Sequence, residues 1–466
     1  MALDLIVVLI YATGMIALGW YGMRRAKTRD DYLVAGRNLG PGFYLGTMAA
    51  TVLGGASTIG TVRLGYVYGI SGFWLCGAIG LGIVGLSLFL AKPLLKLKIY
   101  TVTQVLERRY NPAARQASAL IMLVYALMIG ATSTIAIGTV MQVLFGLPFW
   151  VSILVGGGVV VLYSTIGGMW SLTLTDIVQF LIMTVGLVFL LMPMSIGDAG
   201  GWDAMVAALP ASYFDFTAIG WDTILTYFLI YFFGIFIGQD IWQRVFTARS
   251  EGVAKVAGTA AGLYCVLYGL AGALIGMAAK VLLPDLENVN NAFASIVQTS
   301  LPNGIRGLVI AAALAALMST AAAGLLAAST TVVQDLLPRL RQGRESGSGD
   351  VHENRIATLL MGAVVLVIAL VVSDVISALT LAYNLLVGGM LIPLIGAIYW
   401  KRATTAGAIT SMSLGFMTAL FFMLKDGLDA NTPIYYSLSV ALVSFVLVSV
   451  LSPRPSAVAK GGLTDN

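Results

Sequence analysis

Apolar runs of about twenty residues follow one another along this chain, and each is long enough to cross a bilayer as a helix. Across the 466 residues the pattern predicts thirteen spans, at 2–22, 41–68, 72–95, 114–144, 148–167, 171–196, 223–246, 253–283, 304–333, 356–374, 377–399, 405–424 and 433–452. Apolar positions do not alternate with period two, so barrel strands are not expected. The first run is read as a span and not as a signal peptide. It opens MALDL, with an acid where a basic segment would stand, and Arg24 and Arg25 follow it.

Composition agrees with that pattern. The chain is 59% hydrophobic and only 10% charged, against about 25% charged in soluble proteins. The expected fold class is an all-α integral membrane protein in contact with the lipid bilayer on most sides.

Charge then sets the orientation. Lys and Arg gather after spans 1, 3, 7, 9, 11 and 13, so that 22 of the 26 basic residues fall on one side. The segment 197–222 on the other side carries Asp198, Asp203, Asp215 and Asp222 but no Lys or Arg. By the positive-inside rule the N-terminus faces out and the C-terminus faces the cytoplasm of a plasma (inner) membrane. The net charge of +5 is thus a topology signal. No nucleic-acid motif accompanies it, and neither a nucleic-acid partner nor an obligatory protein partner is expected.

Reactive groups are few. Cys76 and Cys265 lie within spans and read as small core residues. The one histidine, His352, stands in the polar stretch GRESGSGDVHEN (343–354), which reads as a flexible loop. No catalytic set or metal cluster can be assembled, so neither an enzyme nor an organic cofactor is expected. A sensor is disfavoured because about fourteen residues follow the last span.

The ionisable residues at membrane depth are mainly Arg63, Asp176 and Asp240. Each costs roughly 2.5–3.5 kcal/mol at a helix centre and needs a partner or a cavity. Asp240 is expected to pair with Arg244 at i+4. Span 2 holds VLGGASTIGTVRLGYVYG (52–69), whose glycines weaken the helix around Ala56. Span 9 holds LAALMSTAAAGLLAAST (314–330), with Ser319 and Thr320 side by side at similar depth. A break in span 2 would free carbonyls. With two hydroxyls they would form a cluster of neutral oxygens suited to a monovalent cation such as Na+. The same hydroxyls could equally bond back along their own helix or glue helices together.

Several motifs, in order, resemble the sodium:solute symporters over about residues 1–455. These are TVTQVLERRY (101–110), YSTIGGMWS (163–171), TDIVQ (175–179), GQDIWQR (238–244), AALMST (315–320) and ASTTVVQDL (328–336). The resemblance implies a leucine-transporter-like core of two inverted five-helix repeats, at about 41–196 and 223–400 within 41–400. A first peripheral helix and cytoplasmic loop (1–40) would precede it, and two C-terminal peripheral helices and a tail (401–466) would follow. It also implies Na+ as coupling ion, held by the carbonyls of Ala56, Ile59 and Ala316 and the hydroxyls of Ser319 and Thr320.

A second tight sodium site, known in some members near the Asp of the TD motif, would need hydroxyls one turn further on. Ala322 and Ala323 stand there instead. Asp176 is therefore expected to attract Na+ in the inner vestibule, with one Na+ per cycle. The resemblance places substrate contacts at Thr58, Gly60, Arg63, Tyr231 and Phe232. A guanidinium at Arg63 suits a carboxylate. The expected activity is Na+-coupled import of a small organic solute, a carboxylate or zwitterion. A proton-coupled or uncoupled transporter of the same fold is the alternative.

Overall fold

A computed structural model describes residues 2–340, 351–372, 374–428 and 430–453. The described residues are helical almost throughout, with a single isolated bridge between Leu39 and Ala248. The helices that matter here are α1 (Ala2–Arg25), α2 (Pro41–Val52), α3 (Ala56–Leu97), α4 (Thr103–Arg109), α5 (Pro112–Phe145), α6 (Phe149–Asp198), α7 (Trp221–Ile235) and α8 (Gln239–Val245). There follow α9 (Glu251–Leu282), α10 (Ile305–Leu336), α11 (Val351–Val371), α12 (Val375–Tyr399), α13 (Thr405–Asp426) and α14 (Thr432–Leu451).

Among the described residues, ten helices are long and apolar enough to cross a membrane, or up to eleven if α7 and α8 are one bent span. Two of them run expected neighbours together: α3 joins the second part of 41–68 to 72–95, and α6 joins 148–167 to 171–196. At 42 and 50 residues, α3 and α6 would run about 60 and 75 Å if straight, against about 30 Å of hydrocarbon. Each is interrupted by a glycine in a conformation that side chains resist: Gly69 at φ 67, ψ −144 and Gly168 at φ 54, ψ −138. After Gly69 the chain doubles back, so that a Cβ on Gly72 would lie 2.5 Å from the backbone of Leu64 and Gly65. The segment expected as a loop at 343–354 falls mostly outside the described residues. His352 is a correction: it stands in the first turn of α11, not in a loop.

Glycines also let backbones meet where no side chain fits. Gly80 of α3 and Gly262 of α9 face each other so closely that a Cβ on either would lie within 2.6 Å of the other's carbonyl oxygen. This is the small-residue packing of membrane helices, which lack a hydrophobic drive towards one another. Cys76 and Cys265 are buried in the same seam and unbridged, with the Cys76 thiol donating to the Cys265 carbonyl.

The most enclosed span is α10. It is fixed at both ends. The Asp4 carboxylate of α1 accepts from the backbone N–H of Gly304 at 2.9 Å and of Gly307 at 3.0 Å, and pairs with Arg306 at 2.8 Å. It thereby caps a helix whose first residues offer no capping side chain. At the other end Arg115 donates to Asp335 at 2.8 Å and to the Gln334 carbonyl at 2.7 Å, and pairs with Glu107 of α4 at 2.6 Å.

Gly168→Ala would strain the left-handed turn and drive a Cβ to 2.5 Å from the Tyr32 carbonyl oxygen. It is expected to lower the melting temperature of the detergent-purified protein. Gly158→Ala, which meets nothing within 4 Å, is expected to leave it unchanged or raise it. Equal melting of the two variants would contradict the reading of Gly168.

Candidate functional site

The break expected in span 2 lies between α2 and α3. Leu53 leaves the helix at φ −88, ψ 50, and the chain resumes as a π turn over Ala56–Gly60. Gly54 is needed for a close approach: a Cβ there would lie 2.5 Å from the Thr320 hydroxyl and 2.7 Å from that of Ser133. The break frees three carbonyls, and each finds a hydroxyl. Thr320 donates to Thr51 O at 2.6 Å, Ser57 to Val52 O at 2.7 Å and Thr58 to Leu53 O at 3.1 Å. Buried backbone acceptors must find such partners, since the bilayer offers none.

The two hydroxyls of α10 therefore have their hydrogens tied off. Thr320 donates to backbone, and Ser319 donates to the Asp176 carboxylate at 2.6 Å. Each oxygen keeps lone pairs for a further partner. Ala56 and Thr320 line one small cavity at the break, of about 20 Å³. Ile59 and Ala316 are buried in the surrounding core. Asp176 is a correction. It faces no vestibule but is fully buried, bonded by Thr47 and Ser319 and paired with Arg244 at 3.6 Å. It lies beyond the turn at Gly168, where α6 packs against α2 and α10.

A second break separates α7 from α8, at a bend of 49°. The Trp242 indole donates to the freed Phe236 carbonyl at 2.8 Å. Asp240 follows this break directly. The expected i+4 pair with Arg244 is also corrected: Arg244 turns to Asp176, while Asp240 accepts from the Tyr125 hydroxyl at 3.0 Å.

The residues expected to touch substrate divide into two groups. Arg63 lines a cavity of about 230 Å³ together with Thr226, Tyr227, Thr380 and Asn431. Its guanidinium reaches Asp374 at 3.4 Å. Gly60 faces Ile376, which lines the same cavity, and the Tyr231 hydroxyl lies 3.2 Å from that of Thr380. The structure does not bring the other two to this cavity. Thr58 points at Tyr268 of α9, 3.0 Å away, because its hydroxyl serves the break. Phe232 packs its ring against Gly85 and its neighbours Phe228, Phe233 and Phe236. Thr226 and Thr380 were missed, although a hydroxyl inside an apolar run was the available signal. Ser133 and Tyr125, on α5, carried the same signal and were missed too.

Broken helices meeting at membrane depth, with oxygen-rich surroundings and cavities beside them, define a secondary transporter. The chain matches the description "Sodium:solute symporter family" over residues 32–415 and belongs to that family. It is a transporter and not an enzyme. It is 28% identical to the sodium/pantothenate symporter of Escherichia coli (strain K12), covering 96% of each chain. It is 25% identical to the osmoregulated proline transporter OpuE of Bacillus subtilis (strain 168), covering 98% of this chain and 96% of that one. Among solved structures it resembles an outward-open, Na+-coupled sialic acid symporter with a TM-score of 0.85 at 22% identity, covering 97% and 98% of the two chains. A closed Mhp1 structure gives a TM-score of 0.59 at 16% identity, covering 93% and 97%. These neighbours have the leucine-transporter fold.

Removing a hydroxyl at the break leaves a buried carbonyl without its partner, at a cost of about 1 kcal/mol. Ser57→Ala is expected to lower the melting temperature, and Ser57→Thr, which keeps the donor, to restore most of it. Identical melting of wild type and Ser57→Ala would show that the Val52 carbonyl does not depend on Ser57.

Proposed function

We propose that this protein is a Na+-coupled symporter that imports a small organic carboxylate or zwitterion across the plasma membrane. It would do so through thirteen spans, with its N-terminus outside and its C-terminus in the cytoplasm. The core is read as residues 41–400, in two inverted five-helix repeats at 41–196 and 223–400, flanked by peripheral helices within 1–40 and 401–466. The observation that carries the proposal is the pair Ser319 and Thr320, whose hydrogens are committed to Asp176 and Thr51 O beside an interrupted helix. Oxygens held this way present lone pairs and cannot turn hydrogens towards a cation.

In this reading Na+ binds the carbonyls of Ala56, Ile59 and Ala316 and the hydroxyls of Ser319 and Thr320. Asp176 orients Ser319 and raises the negative character of its oxygen, as second-sphere groups do at metal sites. It is no longer read as a free attractor along the ion's path. One Na+ moves per cycle. The solute enters beside Arg63, with Gly60 and Tyr231 standing behind Ile376 and Thr380 of the same cavity wall. The Arg63–Asp374 pair is long and a quarter to a third exposed, so a solute carboxylate can replace Asp374 through a bidentate contact. Na+ and solute raise each other's affinity through the same broken helices, and that coupling is reciprocal. The membrane potential adds about 2.3 kcal/mol per charge per 100 mV.

The first test compares melting of the purified protein in NaCl and KCl at equal ionic strength. At a Na+ concentration one hundred times its Kd, binding stabilises by about 2.7 kcal/mol. Wild type is expected to gain this shift in NaCl alone, and Ser319→Ala and Thr320→Ala to lose most of it. No difference between the salts in wild type would favour proton coupling or uncoupled transport.

The second test titrates a panel of small carboxylates in NaCl. Any that stabilises wild type further is expected to lose its effect in Arg63→Gln, which should still respond to Na+. An unchanged carboxylate response would remove Arg63 from the solute site.

A further inference from the structure

The cavity at the first break has a wall that comes from the second. Alongside Thr51, Gly54, Ala56, Ser133 and Thr320, the lining includes Asp240 of α8. At about 20 Å³ the space is that of one water molecule or one small ion. A solute does not fit. The polar atoms that the lining residues bring are oxygens of a carboxylate, of hydroxyls and of backbone carbonyls, the donor set of a hard cation.

Charge balance at this depth points the same way. Asp176, Asp240 and Arg244 are all at most 3% exposed. Together they hold two negative charges and one positive. Arg244 stands against Asp176, whose oxygens also receive Ser319 and Thr47. Asp240 receives the Tyr125 hydroxyl but has no cation of its own within ion-pair distance among the described residues. The charged group near the end of α10 is a separate one, in which Arg115 serves buried Asp335 and part-exposed Glu107. Arg244 also acts on Asp240 through space, and backbone N–H groups at the start of α8 reach it, but one guanidinium serves two buried carboxylates, and a monovalent cation beside Asp240 offsets the remaining cost of its burial.

We propose that Asp240 is the anionic ligand of the sodium site, reaching from the broken helix α8 into the cavity at the α2–α3 break, whose lining shares Ala56 and Thr320 with that site but not Ile59, Ala316 or Ser319. This rests on the sodium reading of Ser319 and Thr320 and changes its chemistry. The site is no longer one of neutral oxygens alone. A carboxylate supplies the attraction, the neutral oxygens supply the fit, and one Na+ leaves the buried cluster without net charge. Because Asp240 and Ala56 each follow a break, the ion ties together the broken helices of both halves of the core.

The test measures binding of radioactive 22Na+ to the purified full-length protein, with KCl holding ionic strength constant. Wild type, Asp240→Asn, Asp240→Glu and Ser319→Ala are run together. Asp240→Asn is expected to weaken Na+ binding by at least about tenfold, since one lost charge contact is worth more than about 1.4 kcal/mol here. Asp240→Glu is expected to recover most of the affinity, which a merely structural role would not predict. Weak binding in Ser319→Ala with wild-type binding in Asp240→Asn would overturn this proposal and leave the sodium site at α10 standing. Wild-type binding in both variants would overturn the two readings together. Should Asp240→Asn fail to fold, Ser133→Ala probes the same cavity without touching the charge. It is expected to alter the preference for Na+ over Li+, and an unaltered preference would overturn the proposal.

Discussion

Everything in this molecule depends on satisfying backbone polar groups where no water is present. A continuous helix does so by itself, and most of the chain takes that solution. At Leu53–Gly55 and Phe236–Gly238 it does not. Each interruption exposes carbonyls that side chains must cover, and the covering residues are specific: Ser57, Thr58 and Thr320 at the first, Trp242 at the second. The breaks are tolerated because the surrounding helices bring these donors. In return the breaks leave cavities at membrane depth. The site is a by-product of this hydrogen-bond accounting.

The close approach of α10 to the first break follows from small residues on both sides. Gly54 leaves room for the Thr320 hydroxyl. Tyr163 holds the Met318 carbonyl at 2.9 Å from the other side, and the Tyr11 hydroxyl reaches the Met318 sulfur at 3.6 Å. The first helix, expected to be peripheral, thus touches the residue next to the hydroxyl pair. Gln179, from the TDIVQ motif, donates to the same Tyr11 hydroxyl at 3.0 Å.

Much of the architecture was legible because long apolar runs and glycine clusters are local signals. The long apolar helices, the break near Ala56 and the approach of the Ser319–Thr320 pair to it could all be read along one dimension. What failed needed a second helix to decide it. Asp176 and Asp240 looked alike in sequence, and Arg244 lay four residues from one of them. Its choice of Asp176 depends on how α6 and α8 pack. Thr58 and Phe232 were assigned to the solute by position in the chain, yet their directions are set by the freed Leu53 carbonyl and by a row of phenylalanines. Asp240 was paired with Arg244 for the same reason: nothing local says that it lines the cavity at the other break.

The double fixing of α10 has a mechanical meaning. Asp4 holds its first turn and Arg115 its last, while Tyr163 and Asp176 hold its middle. A rod held at three levels resists both sliding and rotation. Ser319 and Thr320 ride on this held helix, so the hydroxyls that face the first break are positioned from outside it.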